Sequence, residues 1–328
     1  MEVQNDNQMN FNIPTQPNKS DIPLVERLGI HPILFAMLSL GIIFILYQII
    51  GGVVTLLIFG LKPTPENLNG YRIVTGAGQI LLILLPTLIL VRFATFEPKI
   101  FLRLSPPSIK TVILSIVAIV SLEQMLQVFL AFQEKLPLPT EMQKLMDQFK
   151  QMFEELYKYL LSSSSISELF FVVIIIALIP AFVEELLFRG LIQRSIEKST
   201  SPMRSAVITG IIFGAYHFNP FSFIPLAAIG IFLGFLTVRT GSIWTSVIAH
   251  FVNNFLACLA VYFHLDDDYV GFGEASSMSN EMLLLTFWLF GVIFLLSVFY
   301  LFKITRSKKY THEPGNSESL SNNGAKDE

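Results

Sequence analysis

The chain of 328 residues is 52% hydrophobic and only 14% charged, where a soluble domain carries about 25% charged residues. Its formal net charge of −3 leaves no basic footprint for nucleic acid, and its one cysteine, Cys258, excludes an internal disulfide framework or a cysteine-rich zinc site. What remains is an integral membrane protein, with an all-α polytopic fold of about eight transmembrane helices and one amphipathic interfacial helix.

In chain order, residues 1–30 are polar and rich in Asn, Gln and Pro, and predict a disordered tail ahead of a membrane domain over 31–305. Apolar runs then predict spans at Pro32–Phe59, Ile73–Phe93, Ile109–Phe132, Leu169–Gln193, Met203–His217, Phe221–Val238, Ile243–Phe263 and Met282–Phe302. Several reach the ~20 residues that cross ~30 Å of hydrocarbon. The fifth and sixth are shorter, parted only by Asn219 and Pro220, and read as tilted or incomplete crossings. With eight spans, one side of the membrane holds fifteen Lys and Arg and the other six, Arg189 lying inside a span. The positive-inside rule then predicts both termini in the cytoplasm.

Between the third and fourth spans, residues 140–160 repeat Met142, Leu145, Met146, Phe149, Met152, Phe153, Leu156, Tyr157 and Leu160 at helical spacing. This is the pattern of an amphipathic interfacial helix, with a lid over the membrane face as the functional alternative. Thr140 and Gln143 match a capping box, and Ser162–Ser165 reads as a flexible joint after the helix. Residues 306–328 predict a second disordered tail.

The informative residues are ionisable groups within apolar spans. Glu184, Glu185 and Arg189 stand in the fourth, where one such group at a helix centre costs about 2.5–3.5 kcal/mol. Glu185 and Arg189 are four apart with the acid N-terminal, so they can pair. Glu184 is turned about 100° away and is the less neutralised carboxylate, the position of a general base. His217 ends the fifth span, and His250 with Asn254 shares one face of the seventh. Counted at about 1.5 Å per residue from the cytoplasmic edge, all four polar groups fall roughly 12–21 Å deep, near the midplane. A lone membrane histidine is usually just hydrogen-bonded to a neighbour, whereas two at one depth beside an unpaired glutamate predict a site. Gly210 and Gly214, with Gly230 and Gly234, are small-residue pairs read as helix packing that brings His217 towards Glu184.

Three motifs together, Glu184-Glu185 with Arg189, Phe213 with His217, and His250 with Asn254, resemble the CPBP family of intramembrane proteases, which includes the type II CAAX prenyl endopeptidases and the Abi proteins. The resemblance covers about residues 169–263. It implies that Glu184 with His217 activates a water and that His250 and Asn254 donate to the oxyanion. It implies a positioning or structural part for Glu185, Arg189 and Phe213. The substrate it implies is a lipidated, CAAX-type or transmembrane peptide reached from the bilayer. Zinc on Glu184, His217 and His250 is left open, because the metalloprotease label of such families meets no His-Glu-x-x-His motif here.

Three other readings compete. A cysteine peptidase on Cys258 leaves Glu184, Glu185 and Arg189 idle. A proton- or solute-coupled transporter predicts an inverted repeat, yet the ionisable cluster lies in the second half alone. A non-catalytic scaffold or immunity protein predicts a lost catalytic residue, and none is missing.

Overall fold

A computed structural model describes residues 22–60, 63–265 and 279–305. Nine long helices follow in order among them: α1 (Pro32–Phe59), α2 (Leu68–Ala94), α3 (Ile109–Glu134), α4 (Thr140–Leu161), α5 (Ile166–Glu197), α6 (Pro202–Tyr216), α7 (Phe223–Thr240), α8 (Ile243–Tyr262) and α9 (Asn280–Thr305). Short helical turns, Leu24–Arg27 and Pro98–Phe101, lie outside them. No strand occurs among the described residues.

All but α4 and α6 are long and apolar enough to cross a membrane, which leaves seven where eight spans were expected. The difference is α6, the expected Met203–His217 span. Its 15 residues give a rod of about 22 Å at 1.5 Å per residue, short of the ~30 Å hydrocarbon core. The chain turns back at once after it. Phe218 takes a left-handed φ of 52°, and Asn219 Oδ1 accepts from the backbone N–H groups of Phe221 and Ser222 at 3.1 and 3.2 Å. His217 therefore caps the C-terminal end of a helix too short to cross the apolar slab.

The α6–α7 hairpin is held by backbone contact. A Cβ built on Gly210 would lie 2.3 Å from the backbone nitrogen of Ile231, and one on Gly230 would lie 2.8 Å from the Gly210 carbonyl oxygen. Side chains at these positions would drive the helices apart, so the small-residue pairs do the packing expected of them.

Large apolar side chains face outward, Leu57 at 80% exposure and Leu285 at 69%, while Arg72, Glu185, Arg189 and Gln193 are fully enclosed. That is the distribution of a bundle solvated by lipid, in which polar groups survive only in the protein interior. Four π-helical stretches widen the helices: Ile45–Gly51, Gln79–Leu84, Val173–Leu178 and Leu186–Ile192. The second and third end just before Pro86 and Pro180, where the ring cannot donate and clashes with a preceding carbonyl. Such widened turns are frequent at functional sites.

Several local expectations are corrected. Thr140 is the first helical residue of α4 behind Pro139, which offers no side-chain cap, and Gln143 donates instead to Asp147 at 2.9 Å. Ser162–Ser165 is not a loose joint. The buried Arg72 guanidinium donates to the carbonyl oxygens of Leu160, Tyr159 and Ser162 at 2.9, 3.2 and 2.5 Å, and pairs with Glu168 at 3.1 Å. Glu168 in turn accepts from the Ser164 N–H and hydroxyl at 2.9 and 2.8 Å. A cation capping the final carbonyls satisfies the orphan acceptors at the C-terminus of α4. The expected tail over 1–30 is already helical at Leu24–Arg27, where Val25 is buried and Glu26 pairs with Lys198 at 2.8 Å. The remainder of that tail, and residues 306–328, lie outside the described residues.

Candidate active site

The two adjacent glutamates point to different environments, as a 100° step along a helix requires. Glu185 is fully buried, and its Oε1 accepts from Arg189 Nη1 at 2.9 Å. The same oxygen meets His250 Nδ1 at 3.0 Å, joining α5 to α8. Arg189 uses its other terminal nitrogen on the carbonyl oxygen of Gly230, 2.9 Å away in α7. That carbonyl is reachable because glycine leaves the α7 backbone bare. The guanidinium also stacks 4.7 Å from the Phe213 ring centroid, a cation–π contact favoured by desolvation. One ion pair thus ties four helices, α5 through α8, and its full burial keeps it out of a substrate's reach.

Glu184, by contrast, is half-buried and has no hydrogen-bond or ion-pair partner among the described residues. The phenols of Tyr47 and Tyr216 interact with its charge. His217 and His250 both pack edge-on with Phe213, their ring centroids 4.6 and 5.9 Å from it. Asn254 is half-buried one turn beyond His250, and its amide has no partner among the described residues. The fold therefore gathers Glu185, Arg189, Phe213, His217 and His250 into one packed cluster, with Glu184 open beside it.

The hydrogen bonds also assign the histidine tautomers. His217 Nδ1 meets the Phe213 carbonyl oxygen at 2.7 Å, and His250 Nδ1 meets a carboxylate. Both partners only accept, so each Nδ1 carries the proton and each neutral ring keeps its lone pair on Nε2. The expected oxyanion donation by His250 then requires the doubly protonated ring. As to zinc, Glu184, His217 and His250 do not converge: no group of three or more His, Cys, Asp or Glu placed to hold a metal ion occurs among the described residues. Cys258 is fully buried among Val172, Val173, Ala177 and Val261, the surroundings of a packing residue and not of a nucleophile.

Four polar residues within the bundle escape motif reading. Tyr47 of α1 lies against Gln79 of α2. Tyr216 has its hydroxyl sealed from solvent without a hydrogen-bond partner among the described residues, a condition that costs about 1–3 kcal/mol. Glu123 of α3 accepts from Gln127 one turn on. Each carries the signal that singled out Glu184, a polar group within an apolar run, and of these Tyr216 alone stands inside a motif, between Phe213 and His217.

Residues 166–256 match the family described as Rce1-like, type II CAAX prenyl endopeptidase Rce1-like. An uncharacterized protein, YpbD, of Bacillus subtilis (strain 168) is 34% identical over 101 residues, covering 29% of this chain and 49% of that protein. The chain thus spans about half the length of this curated relative. No solved structure matches. The matched region begins at the start of α5 and ends two residues past Asn254, so it encloses every residue of the cluster contributed by α5 to α8. Over residues 166–256 the chain is similar to the Rce1-like family of type II CAAX prenyl endopeptidases, a family of membrane proteases.

Proposed function

We propose that this protein is an intramembrane endopeptidase that cleaves a lipidated or transmembrane peptide with a water activated by Glu184. The observation that carries the reading is the contrast between the two glutamates: Glu185 is consumed by Arg189 and His250, while Glu184 stands open and unpaired a residue away. An ion pair serving packing alone has no use for that second carboxylate, which costs about 2.5–3.5 kcal/mol within the membrane.

In this mechanism Glu184 takes a proton from water, and the hydroxide adds to the peptide carbonyl carbon. The resulting oxyanion accepts from the Asn254 amide, and from His250 once that ring gains its second proton beside Glu185. Collapse breaks the C–N bond, and the proton passes from Glu184 by way of His217 Nε2 to the leaving amine. Arg189, Glu185 and Phe213 hold the frame. No step runs through a metal. The exposed Met142, Leu145, Phe149 and Met152 of α4 support its place in the membrane interface. Both termini are placed in the cytoplasm by reading α6 and α7 as one hairpin that enters and leaves by the same face, so that α7, though long enough to cross, adds no separate pass.

The test places wild type beside Glu184→Gln in lipid, with farnesylated and unmodified hydrophobic peptides, read by mass spectrometry. Cleavage by the wild type and a loss of at least 100-fold in the variant is the expected result. Equal cleavage by both sinks the assignment of the base.

A further inference from the structure

Helix α6 ends with little of its own to hold it. Its terminal bonds, from the His217 N–H to the Gly214 carbonyl oxygen and from the Phe218 N–H to that of Ala215, are long at 3.4 and 3.2 Å. The last carbonyls of any helix also lack partners within it. Phe218 then takes a left-handed φ of 52°, a region that a bulky side chain enters only under strain. Between these weak points stands His217, its Nδ1 reaching back to the Phe213 carbonyl oxygen at 2.7 Å. The ring goes where the corner goes.

His217 is flanked by Tyr216 and Phe218, and α1 holds both. Gln48 Nε2 donates to the Tyr216 carbonyl oxygen at 3.3 Å, satisfying one of the orphan acceptors of α6. Phe44, one turn earlier, meets the Tyr216 ring edge-on at 6.1 Å and lies tilted against the Phe218 ring at 5.4 Å. The π-helical stretch Ile45–Gly51 begins directly after Phe44 and contains Gln48, a widening frequent at functional sites. The Tyr216 ring also packs edge-on at 5.4 Å against Phe188, four residues on from Glu184 in α5. The corner is thus joined both to the helix that carries the base and to a helix outside the matched residues 166–256.

We propose that Gln48 and Phe44 are positioning residues for His217, fixing the end of α6 so that Nε2 stands where the leaving amine takes its proton. The inference rests on the proteolytic reading of Glu184 and His217. In the step concerned the C–N bond breaks, its electron pair goes to nitrogen, and that nitrogen receives the proton that passed from the Glu184 carboxyl through Nε2. Gln48 and Phe44 act on this step through the backbone and rings of the corner, not on the substrate.

An acid placed by the protein matters only where the leaving group needs a proton, and that separates positioning from mere stability. Gln48→Met removes one donor at similar length, and Phe44→Leu removes the ring. Both are assayed in lipid on a farnesylated peptide and on the matching 4-nitrophenyl ester, whose phenolate departs unprotonated. On the peptide, kcat falls about 10- to 100-fold with KM within about twofold. On the ester, kcat changes by less than about threefold, because no acid is required. Phe44→Tyr, which keeps the ring, retains peptide cleavage. Equal losses on both substrates, or undiminished peptide cleavage, overturn the proposal. Glu184→Gln measured alongside loses both substrates, since each needs the activated water. If it is inactive while Gln48→Met and Phe44→Leu cleave the peptide normally, the positioning role alone falls. If Glu184→Gln itself keeps full kcat, the proteolytic reading of Glu184 falls and takes this one with it.

Discussion

Neighbouring residues of one type do opposite work here, and the difference is one of partners. Glu185 is enclosed with a guanidinium and an imidazole against a single oxygen, whereas Glu184 has neither. Removing one member of a buried pair strands the other charge, at about 3–5 kcal/mol. Glu185→Ala should therefore lower stability by about that amount, whereas Glu184→Gln should change it by no more than about 0.5 kcal/mol. Denaturation of both variants in bicelles checks this, and equal losses would refute the division of labour. The Glu185–Arg189 pair was legible from a four-residue spacing. The His250 bond to Glu185 was not, because 65 residues separate them and no local rule sets which face of α8 meets α5. The bond that holds His250 Nδ1 against Glu185 is likewise a tertiary contact.

Among the elements, α6 and α7 decide where His217 ends up. Their axes approach closely enough for backbone to touch backbone, and the nearest obstacle to a Cβ on Gly210 is a peptide nitrogen that cannot swing aside. Gly210→Ala should destabilise the protein by about 1–3 kcal/mol and cut peptide cleavage with it, by moving His217. Gly41 in α1 supplies the contrast, since a Cβ there meets nothing within 4 Å. Gly41→Ala should be neutral or stabilising by about 0.5–1 kcal/mol. Melting temperatures of the pair test this, and a harmless Gly210→Ala would mean that the hairpin is looser than its geometry. The length of α6 was legible as a short apolar run, but its consequence was not. Fifteen residues look like a poor span, and only the turn at Phe218 and Asn219 shows that the chain returns with His217 at the bend.

At the scale of the whole molecule, charge and greasiness are sorted in two directions. Apolar side chains face outward to lipid while polar ones cluster inside, and fifteen of 22 cations collect on one side of the expected topology. Exposed positions give a direct test of that sidedness, in a Cys258→Ser background. Arg204→Cys at the start of α6 should react with an impermeant maleimide only from the cytoplasmic face, and Glu141→Cys in α4 only from the opposite face. Labelling of both from the same face would overturn the topology. The two faces are also pinned differently. Arg103 and Glu197 form a bidentate bridge at 3.0 and 2.9 Å on the side expected to face the cytoplasm, while Arg72 clasps the end of α4 on the other.

By itself the sequence determined the helices, the membrane, the near pairing of Glu185 with Arg189 and the three motifs that carry the resemblance, since each depends on run length or on spacing within a turn or two. The tertiary structure decided which carboxylate is free, which nitrogen of each histidine holds its proton, and that Ser162–Ser165 is clasped and not loose. Those facts depend on which faces of separate helices meet. In a bundle whose helices are nearly all apolar around their circumference, hydrophobicity does not select the facing sides; close-packed glycines and a few buried polar bonds do.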